Sequence, residues 1–273
     1  TTHYPWNTKH TTGGPSGGTA AVIAAGILPV GHASDGGGSI RIPAAHCGLF
    51  GLKPSRGRIP AGPSSLDGAT GLSVCHVISR SVRDTALLLD LSAGPEFGSR
   101  VRPPSDSPRG YLEAMQKPER KLRIAIWRKN YFGTPVHADC LAAVDKAAKA
   151  CEAMGHVLEE AMPDLPVAEI FAGMGPGMSA GLLSSIEYRE KQLGRAVRED
   201  EMEPLNWAAL QAAKKATALE LYRGRAGFDK AGQLLDAFLT KYDLILTPTT
   251  AVPAQMLGAL RLDQPYQSYA AEA

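Results

Sequence analysis

Ser39 closes a run of glycines in Asp35-Gly-Gly-Gly-Ser39-Ile-Arg41, and a second cluster, Gly13-Gly-Pro-Ser-Gly-Gly18, lies upstream. Glycine-rich turns let backbone N–H groups approach a small anion or an oxyanion without interference from a Cβ. Phosphate binding does not fit. Neither cluster carries the Lys-Ser/Thr of a P-loop, nor a Gly-x-Gly-x-x-Gly with an acidic residue at the right offset. Acyl transfer does fit: a hydroxyl at the end of such a turn attacks a carbonyl while the amides stabilise the developing oxyanion, about 3–4 kcal/mol per donor. A bare Gly-Gly-Ser triplet is more often a plain loop than a nucleophile, so the flanking sequence has to decide.

The elements that would position Ser39 are legible around it. Thr19-Ala-Ala-Val-Ile-Ala-Ala-Gly26 has the small residues of a tightly packed buried helix, with Thr19 near its start. Ile27–Ala33 reads as a short strand, followed by the glycine run and then Ile40-Arg-Ile42 leading into Pro43-Ala-Ala45. Strand, glycine turn and buried segment together present a side chain at a sheet edge. Val82, Ala86, Leu87, Leu89 and Leu91 predict an amphipathic helix between Ser79 and Gly94. The proline-rich stretch 95–120 reads as a long surface connection. Leu122–Trp127, Asp139–Met154 and His156–Glu160 then alternate as strand, helix and strand, which predicts a parallel sheet covered by helices. Residues 165–240 are helical by propensity with a break near Gly173–Gly177, and Tyr242–Pro248 is a final strand.

Composition narrows the chemistry further. A formal charge of +2, with no basic or acidic block, argues against nucleic acid and against an anionic membrane as partners. No apolar run reaches the roughly 18–20 residues of a spanning helix. The four cysteines form no CxxC pair and have no zinc spacing. Cys140 and Cys151 share a predicted helix roughly 16 Å apart, beyond the roughly 7 Å a disulfide allows. Reduced thiols in a cytoplasmic protein are expected, with no metal and no organic cofactor. The chain starts at Thr1, without an initiator methionine or a signal peptide, and so reads as beginning inside something longer.

The glycine clusters and their surroundings strongly resemble the amidase signature family. The resemblance is carried by Gly13–Gly18, Ala20–Gly26, Asp35-Gly-Gly-Gly-Ser-Ile-Arg-Ile-Pro-Ala-Ala45 and Cys47-Gly-Leu-Phe-Gly-Leu-Lys-Pro-Ser55. Ser79-Arg-Ser-Val-Arg-Asp84 and Tyr242-Asp-Leu-Ile-Leu-Thr-Pro248 extend it. The variants Asp35-Gly-Gly-Gly and Lys53-Pro-Ser-Arg-Gly-Arg58 look most like the branch containing cyclic-dimer nylon-oligomer hydrolases. The family uses a Ser–cis-Ser–Lys triad. The resemblance puts the nucleophile on Ser39, the oxyanion donors on Gly36, Gly37, Gly38 and the Ser39 amide, and a bracing ion pair on Asp35 and Arg41. The cis-serine position is Pro15, for which a cis bond costs only about 0.5–1 kcal/mol against about 2.5–4 for other residues. Its hydroxyl is gone, and Ser16, matching the motif's second serine, is the candidate substitute. The family's catalytic lysine lies upstream of anything in this chain. Lys9 does not match it, and Lys53 matches a separate, structural lysine.

The expected fold is therefore α/β: a mixed sheet sandwiched by helices, incomplete at both ends. It comprises a signature core (1–94), a β-α-β continuation (95–164), a helical insertion (165–240) and a final strand with a tail (241–273). The expected function is hydrolysis of a carboxamide C–N bond in a small-molecule amide or ester through a seryl acyl-enzyme, reduced to weak esterase activity in this chain. Two alternatives stand beside it: a non-catalytic amidase-like protein, and a protein like the ammonia-releasing subunit of an amidotransferase. Exposed sheet edges left by missing strands predict a homo-oligomer. His46 and His76 read as loop or packing histidines and Cys47 as an inert core thiol. Core packing is also the reading for Trp6, Tyr188, Trp207 and Tyr222, while the glycines between Ala172 and Met178 suggest a mobile loop over the site.

Overall fold

A core of small and aliphatic side chains, with no aromatic at its centre, organises the first half of the chain. Ala20, Ile23, Ala33, Ile40, Ala44, Cys47 and Ile78 pack together, all nearly inaccessible to solvent. The computed structural model describes residues 2–62, 71–101, 110–115, 120–261 and 263–264. It divides into two compact units, Thr1–Met162 with Lys241–Leu257, and Pro163–Thr240 with Gly258–Ala273.

In the first unit, helix α1 (Gly17–Ala24) buries Gly17, Ala20 and Ile23, one per turn, on a single face. Thr19 is not its cap. Its hydroxyl donates to the carbonyl of His32 at 3.0 Å and ties the helix to the next strand. That strand, β1 (Val30–Asp35), runs past the expected end at Ala33 because it pairs antiparallel along its whole length with β3 (Val74–Ser79), from Val30↔Ser79 to Asp35↔Val74. Gly31 lets α1 lie close to β1, since a Cβ there would sit 2.7 Å from Thr19 Cγ2.

Between them, α2 (Arg41–His46) is a helix where the sequence suggests only a buried segment. Pro43 is tolerated because the N–H groups of a helix's first turn have no intrahelical partner to lose. The short strand β2 (Phe50–Gly51) pairs with β3 as well, giving the order β1-β3-β2. The predicted helix after Ser79 is α3 (Val82–Ser92), with Ser81 accepting from the Asp84 amide at 3.1 Å as its N-cap. One turn of helix, α4 (Tyr111–Ala114), interrupts the stretch that reads as a connection, its first amides held by the Asp90 carboxylate at 2.6 and 3.0 Å. Pro103, Pro104, Pro108 and Pro118 lie outside the described residues.

Strands β4 (Arg123–Ile126), β5 (Val157–Glu160) and β6 (Leu244–Leu246) form a parallel ladder in the order β5-β4-β6. Helix α5 (Ala138–Ala153) is the crossover, burying Val144 and Ala148 against Ile126, Leu158 and Leu246. Gly155, at φ +85°, takes the chain out of it. The mixture of strand directions is thus divided between an antiparallel and a parallel ladder. Cys140 and Cys151 both lie on α5, and all four cysteines are free thiols.

The second unit is helical: α6 (Val167–Leu193), α7 (Pro204–Ala213) and α8 (Ala218–Leu239). The expected break near Gly173–Gly177 does not occur. Helix α6 continues through these glycines and through Pro176, so the segment is no mobile loop. Its packing depends on glycine instead: a Cβ on Gly173 would meet Gly224 Cα at 2.6 Å, and one on Gly227 would meet the Glu169 carbonyl oxygen at 3.2 Å. Two of the aromatics expected in the core are surface residues here, Tyr188 at 66% and Tyr222 at 72% exposure, as is Trp6 in the first unit at 64%. Trp207 is half-buried on α7. Among the described residues no helix is long and apolar enough to cross a membrane.

The close approach of α6 and α8 makes an internal control available. Gly224→Ala forces two backbones apart and is expected to lower stability by about 1–3 kcal/mol. Gly232→Ala, on the same helix with nothing within 4 Å of the new Cβ, is expected to raise it by about 0.5–1 kcal/mol. Urea unfolding of the two variants beside the parent checks both signs.

Candidate active site

The turn between β1 and α2 is built around the Asp35 side chain, which is completely buried. Its Oδ1 accepts from the Gly38 amide at 2.7 Å, and its Oδ2 accepts from the amides of Ile40 at 3.2 Å and Arg41 at 3.4 Å. The Arg41 guanidinium closes the set with a fork, Nε to Oδ2 and Nη2 to Oδ1, each at 2.8 Å. Burial by itself would raise the Asp35 pKa. The Arg41 fork, the Gly38 amide, the Arg41 charge and the Ile40 amide outweigh burial and hold it down at about 2. The same carboxylate raises the Arg41 pKa, so both groups stay charged.

This carboxylate sorts the amides of the turn. Gly38, expected among the oxyanion donors, is buried and its N–H donates to Asp35. Among the described residues, the amides of Gly36, Gly37 and Ser39 have no protein acceptor. Gly36 and Gly37 are exposed and Ser39 is half-buried. Gly38 must be glycine for two reasons: its φ is +127°, and a Cβ would lie 2.5 Å from Ile42 Cδ1. A cavity of about 610 Å³ opens beside the turn, lined by Gly37, Gly38, Arg41, Phe50 and the Thr247–Thr249 stretch.

The upstream glycine cluster packs onto α2, where Gly13 lies against the His46 ring and the Ile42 side chain. The Gly14–Pro15 peptide is cis, the isomer that a proline readily allows at this position. Pro15 is exposed and carries no hydroxyl. Ser16 Oγ donates to the Ser34 carbonyl at 3.5 Å, a long contact, and no hydrogen bond joins it to Ser39. Thr12 is a residue that sequence reasoning misses. It is fully buried, and its hydroxyl donates to the Gly13 carbonyl at 3.1 Å. Only its burial marks it; nothing in the periodicity does.

The remaining candidates are placed as follows. Lys53 is half-buried and donates from Nζ to the Pro54 carbonyl at 2.8 Å. Burial lowers its pKa first, then the Arg41 and Arg56 charges, with Asp35 opposing. Lys9 is exposed, its carbonyl accepting from the Leu257 amide at 2.8 Å. Cys47 is 1% exposed and burial pushes its thiol up to about 11, so it is a core residue and no thiolate nucleophile. Burial also lowers the pKa of His46 and His76, and both His46 ring nitrogens are buried without a hydrogen-bond partner among the described residues. Neutral packing histidines fit that description; a triad imidazole does not. Among the described residues, no group of three or more His, Cys, Asp or Glu side chains is placed to hold a metal ion.

A family model described as Amidase matches residues 1–272. The chain belongs to the amidase signature family. It is 33% identical over 269 residues to the 6-aminohexanoate-cyclic-dimer hydrolase of Paenarthrobacter ureafaciens, covering 96% of this chain and 54% of that one. It is 34% identical over 251 residues to a lipoamidase of Enterococcus faecalis, covering 92% and 32%. The solved structure of a 6-aminohexanoate cyclic dimer hydrolase superposes with a TM-score of 0.87 at 31% identity, covering 95% of this chain and 55% of that one. A bacterial aryl acylamidase shares the fold, with a TM-score of 0.84 at 24% identity and coverage of 93% and 52%. This amidase-family chain spans about half the length of these hydrolases and a third of the lipoamidase.

The Asp35 brace has a pH signature. Its folded pKa is depressed, so its contribution to stability is full above the unfolded value near pH 4 and is lost as pH falls toward about 2. That contribution is about 2 kcal/mol at neutral pH, from a shift of roughly two pKa units. Asp35→Asn is expected to be the less stable protein at pH 7, with the gap closing between pH 4 and pH 2. Denaturant titrations of both proteins across that range measure it.

Proposed function

We propose that Ser39 is the nucleophile of a hydrolase centre that cleaves carboxamide C–N bonds, with linear or cyclic aliphatic amides as substrates. One observation carries this reading: the buried Asp35 carboxylate takes the Gly38, Ile40 and Arg41 amides, leaving those of Gly36, Gly37 and Ser39 beside a half-buried hydroxyl. Family membership supports it, as do two relatives that are by name a 6-aminohexanoate-cyclic-dimer hydrolase and a lipoamidase.

In this mechanism the Ser39 Oγ attacks the substrate carbonyl carbon and gives up its proton. The carbonyl oxygen becomes an oxyanion, held by the uncommitted amides of Gly36, Gly37 and Ser39. Collapse breaks the C–N bond, the amine departs with the proton that Ser39 gave up, passed on through Ser16, and the acyl group stays on Ser39 until water takes it as the carboxylic acid and restores the hydroxyl. Arg41 and Asp35 hold the turn and do not touch the reacting atoms. Ser16 is the relay: its long bond to the Ser34 carbonyl is weak enough to exchange for one to Ser39. Lys53 is not the base, because its ammonium is engaged by the Pro54 carbonyl.

A second reading, a non-catalytic amidase-like protein, is favoured by Pro15, which offers no hydroxyl at the relay position. The two part on substrate choice and labelling. General acid and base steps are each worth about 10²–10⁴-fold, and amide cleavage needs both, whereas an ester's alkoxide leaves unaided more readily. The hydrolase reading expects a fluorophosphonate probe to modify Ser39, located by peptide mass spectrometry, with no labelling of Ser39→Ala. It also expects a p-nitrophenyl ester to be cleaved faster than the matched anilide, and Ser16→Ala to slow the anilide more than the ester. Absence of labelling at Ser39 in folded protein gives the field to the non-catalytic reading.

A further inference from the structure

We infer that His46 is a positioning residue: its neutral ring holds the segment from Gly13 to Ser16 in place, and protonating that ring releases the segment. This deepens, and rests on, the reading of Ser16 as the relay for Ser39. His46 is the last residue of α2, and Gly13 is pressed against it. A Cβ on Gly13 would meet His46 Nδ1 at 2.8 Å, Ile42 Cγ2 at 2.9 Å and His46 Cε1 at 3.4 Å. Gly13 is fixed from its other side by its own neighbours. Its amide donates to Thr11 Oγ1 and its carbonyl accepts from the Thr12 hydroxyl, each at 3.1 Å. Ser16 follows shortly after as the N-cap of α1.

Both ring nitrogens of His46 are buried, and among the described residues neither has a hydrogen-bond partner. The neutral ring tolerates that seat. An imidazolium has two donors and a charge there with no acceptor in reach, which is far more costly. The ring leaves rather than carry the charge, and Gly13 loses the surface it packs on. The neighbouring groups do not offset this. His46 lines a cavity of about 550 Å³ with four other titratable side chains, Tyr4 and His10 from the first loop and Asp139 and Cys140 from α5. Burial first, then the charge of a neighbour, raises the pKa of Tyr4 and of Cys140, so both stay neutral. Asp139 has a side chain 82% exposed and screened by water. The His10 ring is tied through Nδ1 to the Ala254 carbonyl at 2.7 Å. Arg41, on the same helix, is committed to Asp35, and burial keeps Cys47 a thiol. Burial is accordingly what lowers the His46 pKa. Because the folded value lies below the unfolded one near pH 6.5, the hold on Gly13 is full above that pH and weakens as pH falls below it.

Hydrogen–deuterium exchange read by mass spectrometry tests this without turnover. Protection of the peptide carrying Gly13–Gly18, corrected for the intrinsic exchange rate, is expected to fall by up to about tenfold between pH 7.5 and pH 5.5. Peptides of α5 are expected to keep theirs. In His46→Phe, which fills the seat and cannot titrate, the Gly13–Gly18 protection is expected to stay level; His46→Leu serves if the larger ring impairs folding. His10→Asn is expected to respond as the parent does, and His76 titrates in every variant alike. The rate ratio of p-nitroanilide to p-nitrophenyl ester is expected to drop over the same interval in the parent and not in His46→Phe. Protection that falls in the parent and stays level in the His46 variants supports the inference even if the chain hydrolyses nothing. Unchanged protection in the parent, an equal fall in the His46 variants, or a fall shared by α5 overturns it whether or not Ser39 reacts. A released segment with the rate ratio unmoved overturns the link to Ser16 while leaving the labelling of Ser39 as a separate test.

Discussion

A carboxylate with no solvent contact shapes the centre of this protein. Asp35 ends β1 facing the core, where an unpaired charge would be prohibitive. It survives because the chain turns back on it, offering three backbone amides and the fork of Arg41. Arg41 itself is 47% exposed, so only one partner of the pair bears the full desolvation penalty. The curl that satisfies Asp35 is the same curl that starts α2 and sets Ser39 in the turn. Removing the carboxylate would therefore disturb more than an ion pair. It would release the amides that define where the turn goes.

The same interaction limits the chemistry. An N–H group held at 2.7 Å by a carboxylate is a poor donor to anything else, so Gly38 serves the fold. The amides of its neighbours Gly36 and Gly37 are exposed and, among the described residues, have no protein acceptor. A glycine run that looks uniform in sequence is divided by role: Gly38 for its positive φ and its place against Ile42, Gly36 and Gly37 for exposed amides. The cavity beside the turn has Gly37 and Arg41 both in its wall.

Much of the scaffold is legible in the sequence because periodicity and burial agree along it. Leu122–Trp127, Asp139–Met154 and His156–Glu160 each show one clear pattern, and each corresponds to an element of the parallel ladder or its crossover. The mismatches fall where local signals and tertiary contacts compete. Strand β3 escapes a sequence reading although Val74, His76 and Ile78 alternate inward, because a histidine and a serine blur the apolar pattern. Helix α2 is hidden by Pro43 and by the glycines before it. The residue types of Gly173–Gly177 suggest a break, yet Gly173 lets α6 touch α8, and packing overrides propensity. At the site, residue types are those of an acyl-transfer turn, and the proposed roles come from family resemblance. The allocation of amides is invisible in sequence, because it depends on which N–H groups a buried side chain reaches after folding.

On the proposed reading of Ser39 as a nucleophile, acyl transfer makes two separable demands on this turn. Stabilising an oxyanion needs fixed dipoles, which a braced turn supplies without moving. Moving a proton needs a hydroxyl or base within reach, and here the local chemistry is thinner. Pro15 follows a cis bond but has nothing to donate. Ser16 has the right group, directed at the Ser34 carbonyl. The first demand is common to esters and amides, since both pass through a tetrahedral oxyanion. The second falls more heavily on amides, whose nitrogen must be protonated to leave. On the proposed reading, a turn whose amides are in place but whose cis-serine position is Pro15 favours substrates with good leaving groups.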